Sequence, residues 1–264
     1  MSKVLQRQHW SNWRARLYQL GQRARRSLSA PWTGNGSPAG RDPLLDPPIE
    51  SEYVDLLFDP AFRRSLAEVK QHSCQDVVRL ANLWNLVRMA DAGIYMEVGS
   101  FQGGTALHIC NAMRDANWPF YCFDPFENAG FELLHDCDQV FADYDFTQTS
   151  FAQVKQLLSG KSNAQVIQGF FPTAAQNLAL NNVAFCHLDV DVYEATRQSL
   201  QYLAPRMSPR GLILVDDVDH RETPGVKRAL ANFLAERPDF SFIPMFPCQG
   251  LLLHLSAERS NLDQ

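Results

Sequence analysis

The sequence predicts an α/β fold: a mostly parallel, seven-stranded sheet with helices on both faces and an antiparallel hairpin at the C-terminus. From residue 94 onward, short runs of strand-forming residues alternate with segments of helical periodicity, which is typical of parallel strands joined by helices. The last two apolar runs, residues 240–246 and 250–256, follow each other with no helical segment between them. This ending predicts two antiparallel strands at the edge of the sheet.

The individual elements follow from the same periodicities. Residues 50–70 and 74–90 have the spacing of two helices, and the second ends at the turn Asp91-Ala92-Gly93. The five strands before the hairpin are predicted at residues 94–98, 120–124, 165–171, 183–192 and 211–217. The helices that connect them are predicted at residues 105–113, 150–158, 194–204 and 225–236.

Composition divides the chain into four segments. Residues 1–30 predict a basic amphipathic helix, since residues 1–26 contain seven Lys and Arg and no acid. Residues 31–49 are a Pro/Gly-rich linker, residues 50–92 a helical extension or lid, and residues 93–264 the main domain. We expect the basic helix to pack on its own acidic domain or on a second copy of the chain, with membrane-surface or nucleic-acid binding as the alternatives. The resulting expectation is a homo-oligomer, with a dimer favoured, and no nucleic-acid partner.

The cysteines and the apolar runs indicate the cellular compartment. The six cysteines are scattered, without the close pairs of a zinc site or a redox motif. No apolar run approaches the roughly 18 to 20 residues of a membrane span, and the N-terminus lacks the apolar core of a secretory signal. The sequence therefore predicts a cytoplasmic protein with reduced thiols and no transmembrane segment.

Polar residues follow the predicted strands at the edge where ligands bind in sheets of this type. They are Glu97 and Gly99 after the first strand, Asp124 after the second, Gly169 after the third, Asp189 and Asp191 after the fourth, and Asp216 and Asp217 after the fifth. Helix capping would explain one or two of these positions, but not all of them. If the fourth and fifth strands are neighbours, four carboxylates converge, and such a cluster needs a cation or raised pKa values. The pattern indicates a hard divalent metal.

The loop after the first strand reads Glu97-Val-Gly-Ser-Phe-Gln-Gly-Gly-Thr105. An acid-x-glycine followed four residues later by a second glycine resembles the S-adenosylmethionine (SAM) loop of class I methyltransferases and differs from the G-x-G-x-x-G of nicotinamide enzymes. The carboxylate of Glu97 suits the cationic amino-acid end of SAM better than it suits a pyrophosphate. Asp124, at the end of the next strand, is suited to accept hydrogen bonds from two ribose hydroxyls.

Several segments are similar, in order and spacing, to the macrocin O-methyltransferase family of the TylF/MycF type. They are FDPFE, VIQGFFPTA, HLDVDVYEAT, APRMSPRGLILVDD and GVKRALANF, and the resemblance extends from about residue 75 to residue 256. The combination of LDVDVYEAT with SPRGLILVDD is its specific part. The chain departs from the family pattern at Arg210, where a second glycine is usual, and in DDVDH, where an aromatic residue often follows the two acids.

The resemblance implies a Rossmann-like class I methyltransferase fold and SAM- and Mg²⁺-dependent O-methylation, usually of a sugar hydroxyl on a glycosylated natural product. By motif position, Asp189, Asp216 and Asp217 would bind the metal, and Asp191 would be the general base. The cofactor residues that it implies are Glu97, Gly99, Ser100, Gly103, Thr105, Asp124, Gly169, Phe170 and Asp189. Two alternatives stay open: a catechol-type O-methyltransferase that acts on an aromatic diol, and a SAM-binding partner protein without activity.

The histidines near the acids are expected to have structural rather than catalytic roles in most cases. His187, in the strand before Asp189, is expected to be a buried, hydrogen-bonded core residue rather than a catalytic one. His220 follows the two acids and is a weaker candidate for substrate contact, and His254 in the hairpin is expected to be structural. Substrate choice is expected to depend on the long loop at residues 126–149.

Overall fold

The computed structural model describes residues 59–128, 134–143 and 148–255. The basic helix at residues 1–30, the linker at residues 31–49 and the start of the extension at residues 50–92 lie outside these described residues. The chain divides into two compact units, residues 1–64 and 65–264. Of the first unit, only the opening of helix α1 is described.

Seven strands form one sheet, in the order β3-β2-β1-β4-β5-β7-β6. The strands are β1 Ile94–Val98, β2 Phe120–Asp124, β3 Ala164–Gln168, β4 Val183–Leu188, β5 Met207–Val215, β6 Phe240–Met245 and β7 Gln249–His254. β7 pairs antiparallel with both β5 and β6, and the other pairings are parallel. The predicted sheet and its C-terminal hairpin are confirmed.

Six α-helices accompany the strands within the described residues. They are α1 Pro60–Val69, α2 Val77–Met89, α3 Gly104–Ala112, α4 Phe151–Leu157, α5 Tyr193–Leu203 and α6 Pro224–Glu236. Short 3₁₀ turns lie at Phe126–Asn128, Asp136–Asp143, Thr173–Ala175 and Ala204–Arg206. Among the described helices, none combines the length and the apolar character that crossing a bilayer requires.

β3 ends at Gln168, three residues earlier than predicted, and two other strand boundaries differ from the sequence prediction by four residues. β4 ends at Leu188, four residues early, because the chain leaves the sheet near Asp191, whose φ is +64°. β5 begins at Met207, four residues early, because Met207 pairs with Val183 although the following Ser-Pro-Arg segment resembles a turn. None of these differences moves the acids away from the carboxyl ends of the strands.

The core is centred on the middle strands of the sheet. All five residues of β1 and all six of β4 are buried, as expected when helices cover both faces of parallel strands. Met96 of β1, Cys186 of β4 and Ile213 of β5 belong to one apolar cluster with residues of α5 and α6. Apart from Glu97 and His187, the residues of these two strands are apolar, which is the pattern that predicts buried strands.

The strand order reverses beside β1. From β1 the chain continues outward through β2 and β3, then returns to form β4 on the other side of β1. In sheets of this type the crevice at the reversal point binds the ligand. The carboxyl ends of β1, β4 and β5 therefore meet at this crevice.

Candidate active site

The register of β4 and β5 brings the four aspartates together. Leu188 and Val215, the last residues of the two strands, are paired in the parallel ladder. Asp189 and Asp216 directly follow this pair, and the backbone N–H of Asp216 donates to the Leu188 carbonyl at 2.9 Å. Two acidic pairs that are 27 positions apart in the sequence thus lie at one edge of the sheet.

Carboxylate oxygens of Asp189, Asp191 and Asp217 lie within 4.8 Å of one another. Asp191 and Asp217 have left-handed backbones, with φ values of +64° and +59°. This conformation is uncommon for residues other than glycine, although Asp tolerates it better than most. Local strain at two acids of one cluster is typical of a functional site.

Asp216 is oriented differently, toward the protein interior. Its side chain is fully buried, and Arg79 Nη1 lies 2.9 Å from its Oδ1. The amide nitrogen of Gln75 donates to Asp216 Oδ2 at 2.5 Å, and the backbone N–H of Asp217 donates to Oδ1 at 3.0 Å. Asp216 also belongs to a second possible ligand group, with His187 and Asp189. Protein donors therefore bind both of its oxygens.

His187 links Asp216 to Glu97 inside the sheet. Its Nδ1 lies 2.9 Å from Glu97 Oε1, and its Nε2 lies 3.6 Å from Asp216 Oδ2, an ion-pair distance that is too long for a hydrogen bond. Burial alone would lower the pKa of His187, but the two neighbouring carboxylates raise it to about 10. His187 is thus a buried imidazolium at neutral pH. It is hydrogen-bonded in the core as expected, but it also contacts the acidic cluster.

Burial and mutual repulsion shift the pKa values within the acidic cluster. Burial and the charges of Asp216, Asp191 and Asp217 raise the pKa of Asp189 well above its usual range. Burial would also raise the pKa of Asp216, but His187 and Arg79 lower it below its usual value. Burial and the neighbouring negative charges therefore oppose ionisation most strongly at Asp189. Clustered carboxylate oxygens of this kind fit a hard divalent cation such as Mg²⁺.

The glycine loop packs against the acidic edge. Gly99 has a φ of +85°, and a Cβ there would lie 1.9 Å from the Asp189 carbonyl oxygen. Gly103 has a φ of +80°, and its Cβ would lie 2.8 Å from Val154 Cγ1. These two glycines bring the loop against neighbouring protein segments, whereas the sequence suggested close approach to a cofactor. Ser100 and Thr105, the other predicted loop residues, are buried.

The remaining predicted cofactor residues differ in accessibility. Asp124 binds the loop: its Oδ2 accepts the N–H groups of Ser100 and Phe101 at 2.9 Å, and its Oδ1 accepts that of Phe126 at 2.6 Å. Gly169 has a φ of +138°, and Phe170 is half exposed. Glu97 is fully buried and pairs with His187. Asp124 and Glu97 thus have structural partners that the sequence did not indicate.

The sequence interpretation missed Gln75 and Arg79. Both contact the acids from the start of α2, a segment that was interpreted only as a helix. Gln75 lies just before the N-cap Asp76 and Arg79 lies in the first turn of α2, so the fold and not helical spacing brings both to the acids.

Asp138 connects the loop at residues 126–149 to the acidic edge. Its Oδ2 accepts the N–H of Tyr193, the first residue of α5, at 2.8 Å. The N-cap residue Val192 provides no side-chain cap of its own. Gly225 of α6 lies so close that a Cβ there would be 2.0 Å from Asp138 Oδ1. A carboxylate distant in sequence thus caps the helix that follows Asp191.

Residues 96–218 match a family model described as a methyltransferase domain. Over this segment, which is just under half of the chain, the sequence is similar to a methyltransferase domain. The matched segment includes the glycine loop, the 134–143 segment and all four aspartates.

The known proteins that resemble the chain include one curated relative and two O-methyltransferases of known structure. An 8-demethyl-8-(2,3-dimethoxy-alpha-L-rhamnosyl)-tetracenomycin-C 4′-O-methyltransferase from Streptomyces olivaceus is 25% identical over 163 residues, which cover 55% of this chain and 62% of the relative. The O-methyltransferase NovP superposes with a TM-score of 0.61 at 18% identity, over 70% of this chain and 83% of NovP. An O-methyltransferase from Bacillus cereus in complex with SAH superposes with a TM-score of 0.51 at 12% identity, over 75% of this chain and 91% of that chain. The predicted Rossmann-like fold and the resemblance to macrocin-type O-methyltransferases are confirmed.

Proposed function

We propose that the methyltransferase domain transfers the methyl group of SAM to a sugar hydroxyl of a glycosylated natural product, with Mg²⁺ in the site. The observation that carries this proposal is the cluster of Asp189, Asp191 and Asp217 beside the glycine loop, with their oxygens within 4.8 Å of one another. The name of the Streptomyces olivaceus relative, which specifies 4′-O-methylation of a rhamnosyl tetracenomycin, supports the substrate class.

In this proposal Asp189 and Asp217 hold the cation. Both carry oxygens in the cluster, and the raised pKa of Asp189 reflects charge that a cation would neutralise. A bound Mg²⁺ supplies Lewis acidity that lowers the pKa of a coordinated acceptor hydroxyl. Asp216, the third ligand that the resemblance implies, is held by Arg79 and Gln75, so its role as a ligand stays a prediction.

Asp191 acts as the general base. Its carboxylate lies within 4.8 Å of the ligand oxygens of Asp189 and Asp217, so an acceptor hydroxyl held by that pair lies near a proton acceptor. As the acceptor oxygen bonds to the methyl carbon, the carbon–sulfur bond of SAM breaks and S-adenosylhomocysteine leaves. The hydroxyl proton goes to the Asp191 carboxylate. Orientation of the two reactants contributes several kcal/mol, and a positioned base contributes on the order of 10² to 10⁴ in rate.

SAM binds along the glycine loop in this proposal, over Gly99, Ser100, Gly103 and Thr105. Asp124 orders this loop through two backbone N–H groups and, as predicted, accepts the ribose hydroxyls with its remaining lone pairs. Gly169 and the half-exposed Phe170 are the other cofactor residues that the resemblance implies. The SAH-bound Bacillus cereus structure, which shares the fold, supports SAM as the methyl donor.

The decisive experiment measures methyl transfer from SAM to a rhamnosylated polyketide and to a catechol, with and without EDTA. We expect turnover of the sugar acceptor that EDTA abolishes. Asp191→Asn is expected to lower kcat by 10²-fold or more while SAM binding, measured by calorimetry, stays unchanged. Asp219→Asn is the matched control, since Asp219 is exposed and pairs with Lys227.

Three results would contradict the proposal. Activity that persists in EDTA excludes the metal. Turnover of the catechol alone favours the aromatic-diol alternative, and SAM binding without turnover of either acceptor favours the inactive partner protein.

A further inference from the structure

Gln75 and Arg79, here named the α2 clasp, contact the acids from outside the sheet. Asp76, between them, is the N-cap of α2: its Oδ1 accepts the N–H groups of Val78 at 2.8 Å and Arg79 at 3.0 Å. The Arg79 side chain also lies 3.5 Å from Asp76 Oδ2. Because the cap fixes the first turn of the helix, it also fixes the backbone from which Arg79 extends.

The clasp contacts three of the four aspartates. The Gln75 amide nitrogen donates to Asp189 Oδ2 at 3.0 Å and to Asp216 Oδ2 at 2.5 Å. Arg79 Nη1 lies 2.9 Å from Asp216 Oδ1 and 2.9 Å from Asp217 Oδ1. Asp216 thus accepts from both clasp residues, and each of them extends to one of the two proposed cation ligands.

These contacts lie largely away from water. The exposed fraction is 14% for the Arg79 side chain, 0% for that of Asp216 and 10% for that of Asp217. Hydrogen bonds between charged groups are roughly twice as strong as neutral ones, and burial reduces the competition from water. The clasp therefore limits the rotation of the carboxylates to which it donates.

We propose that the α2 clasp positions the carboxylates of the cation site. Gln75 binds Oδ2 of Asp189 and Arg79 binds Oδ1 of Asp217, so each of these carboxylates keeps a second oxygen for the ion. Asp216 is the anchor that holds the two clasp residues in place. Partners of this kind orient metal ligands, and their loss typically lowers metal affinity by 10- to 100-fold. The inference rests on the proposed function only in requiring that the acids bind a cation.

The test is calorimetric titration of the full chain with Mg²⁺ in the presence of S-adenosylhomocysteine, without any acceptor. Gln75→Met keeps the side-chain length and the net charge but removes both donors. We expect its Mg²⁺ affinity to fall by at least 10-fold, with S-adenosylhomocysteine binding unchanged. Gln71→Met is the matched control, because Gln71 is exposed four residues earlier and should bind Mg²⁺ like the wild type.

A second variant distinguishes a specific loss of Mg²⁺ affinity from a general folding defect. Arg79→Lys keeps the positive charge but loses the planar group that contacts Asp216 and Asp217 together, and the same loss of affinity is expected. The apparent Mg²⁺ activation constant is expected to rise while kcat at saturating Mg²⁺ recovers, which a general structural defect would not produce.

The outcomes separate this inference from the proposed function. If the wild-type chain binds no Mg²⁺, the metal is excluded from the proposed function, and the inference about the clasp is excluded as well. Wild-type binding with unchanged affinity in folded Gln75→Met or Arg79→Lys overturns the clasp alone. Tighter binding in Gln75→Met would mean that the clasp competes with the ion, which also overturns the inference.

Discussion

The Nδ1 of His187 lies 2.9 Å from the Oε1 of Glu97, and both side chains are sealed from solvent between two central strands. Removing one partner leaves the other buried group without its hydrogen-bonded partner, although His187 still faces Asp216, and breaking a buried pair costs about 3–5 kcal/mol. We therefore expect Glu97→Gln and His187→Gln each to lower the free energy of unfolding by that order, measured by urea denaturation.

The double variant Glu97→Gln/His187→Gln provides the control. With both charges removed, it is expected to be more stable than the sum of the two single losses predicts. Additive losses would mean that the two residues act independently. In that case the pairing with His187 would not explain the burial of Glu97, and the cofactor role predicted from the glycine loop would be favoured.

Gly99→Ala is expected to destabilise the fold strongly. The new Cβ would lie 1.9 Å from the Asp189 carbonyl oxygen, at a φ of +85° that alanine rarely adopts. The expected loss is about 2 kcal/mol or more, measured by thermal and urea unfolding. Gly160→Ala is the control, because nothing lies within 4 Å of the new Cβ, and it should leave stability nearly unchanged. Equal effects at the two positions would exclude close packing as the reason for glycine at position 99.

Arg210→Gly is expected to stabilise the chain. Arg210 has a φ of +61°, and the family that the sequence resembles usually has glycine at this position. Relief of the left-handed backbone gains about 1–2 kcal/mol, and the greater flexibility of glycine in the unfolded chain offsets about half of it. The ion pair with Asp91 is largely exposed and contributes little. Arg210→Ala also loses this ion pair but keeps a Cβ, so the prediction requires that its melting temperature not rise.

His108 should make stability depend on pH below neutrality. Its Nε2 donates to the Leu80 carbonyl at 3.0 Å, so its Nδ1 accepts from the Ser65 hydroxyl at 2.7 Å, and the ring is neutral. Burial lowers its pKa to about 4, despite the hydrogen bond to Leu80.

Between pH 6.5 and 4 the unfolded chain binds a proton at this histidine that the folded chain does not. Its contribution to stability is therefore present above pH 6.5 and is lost as the pH falls toward 4, by about 3 kcal/mol in all. Urea unfolding of wild type and His108→Gln at pH 7, 6 and 5 isolates the effect. The difference between the two proteins should shrink with falling pH, and a constant difference would contradict the neutral ring.

The sequence was sufficient to predict the sheet, because buried parallel strands are predominantly apolar and the four aspartates directly follow two of them. It could not predict that Glu97 pairs with His187, since the contact joins neighbouring strands 90 residues apart. The contacts of Gln75 and Arg79 depend on how α2 packs against the end of the sheet, which periodicity does not determine. Arg210 was noticed as a departure from the family pattern, but only the backbone angle explains why glycine suits that position.

The carboxylate of Asp138 constrains changes to the loop at residues 126–149, on which acceptor choice is predicted to depend. Because it caps α5 immediately after the turn of Asp191, the 134–143 segment and the proposed base are joined through one hydrogen bond at Tyr193. A grafted loop that lacks an acid at this position would change the 134–143 segment and would also remove the cap of α5 that follows the proposed base Asp191. Gly225 adds a second constraint, because a larger residue would occupy the space of that carboxylate. Recombination between relatives in this region should therefore exchange the 134–143 segment and the start of α6 as one unit.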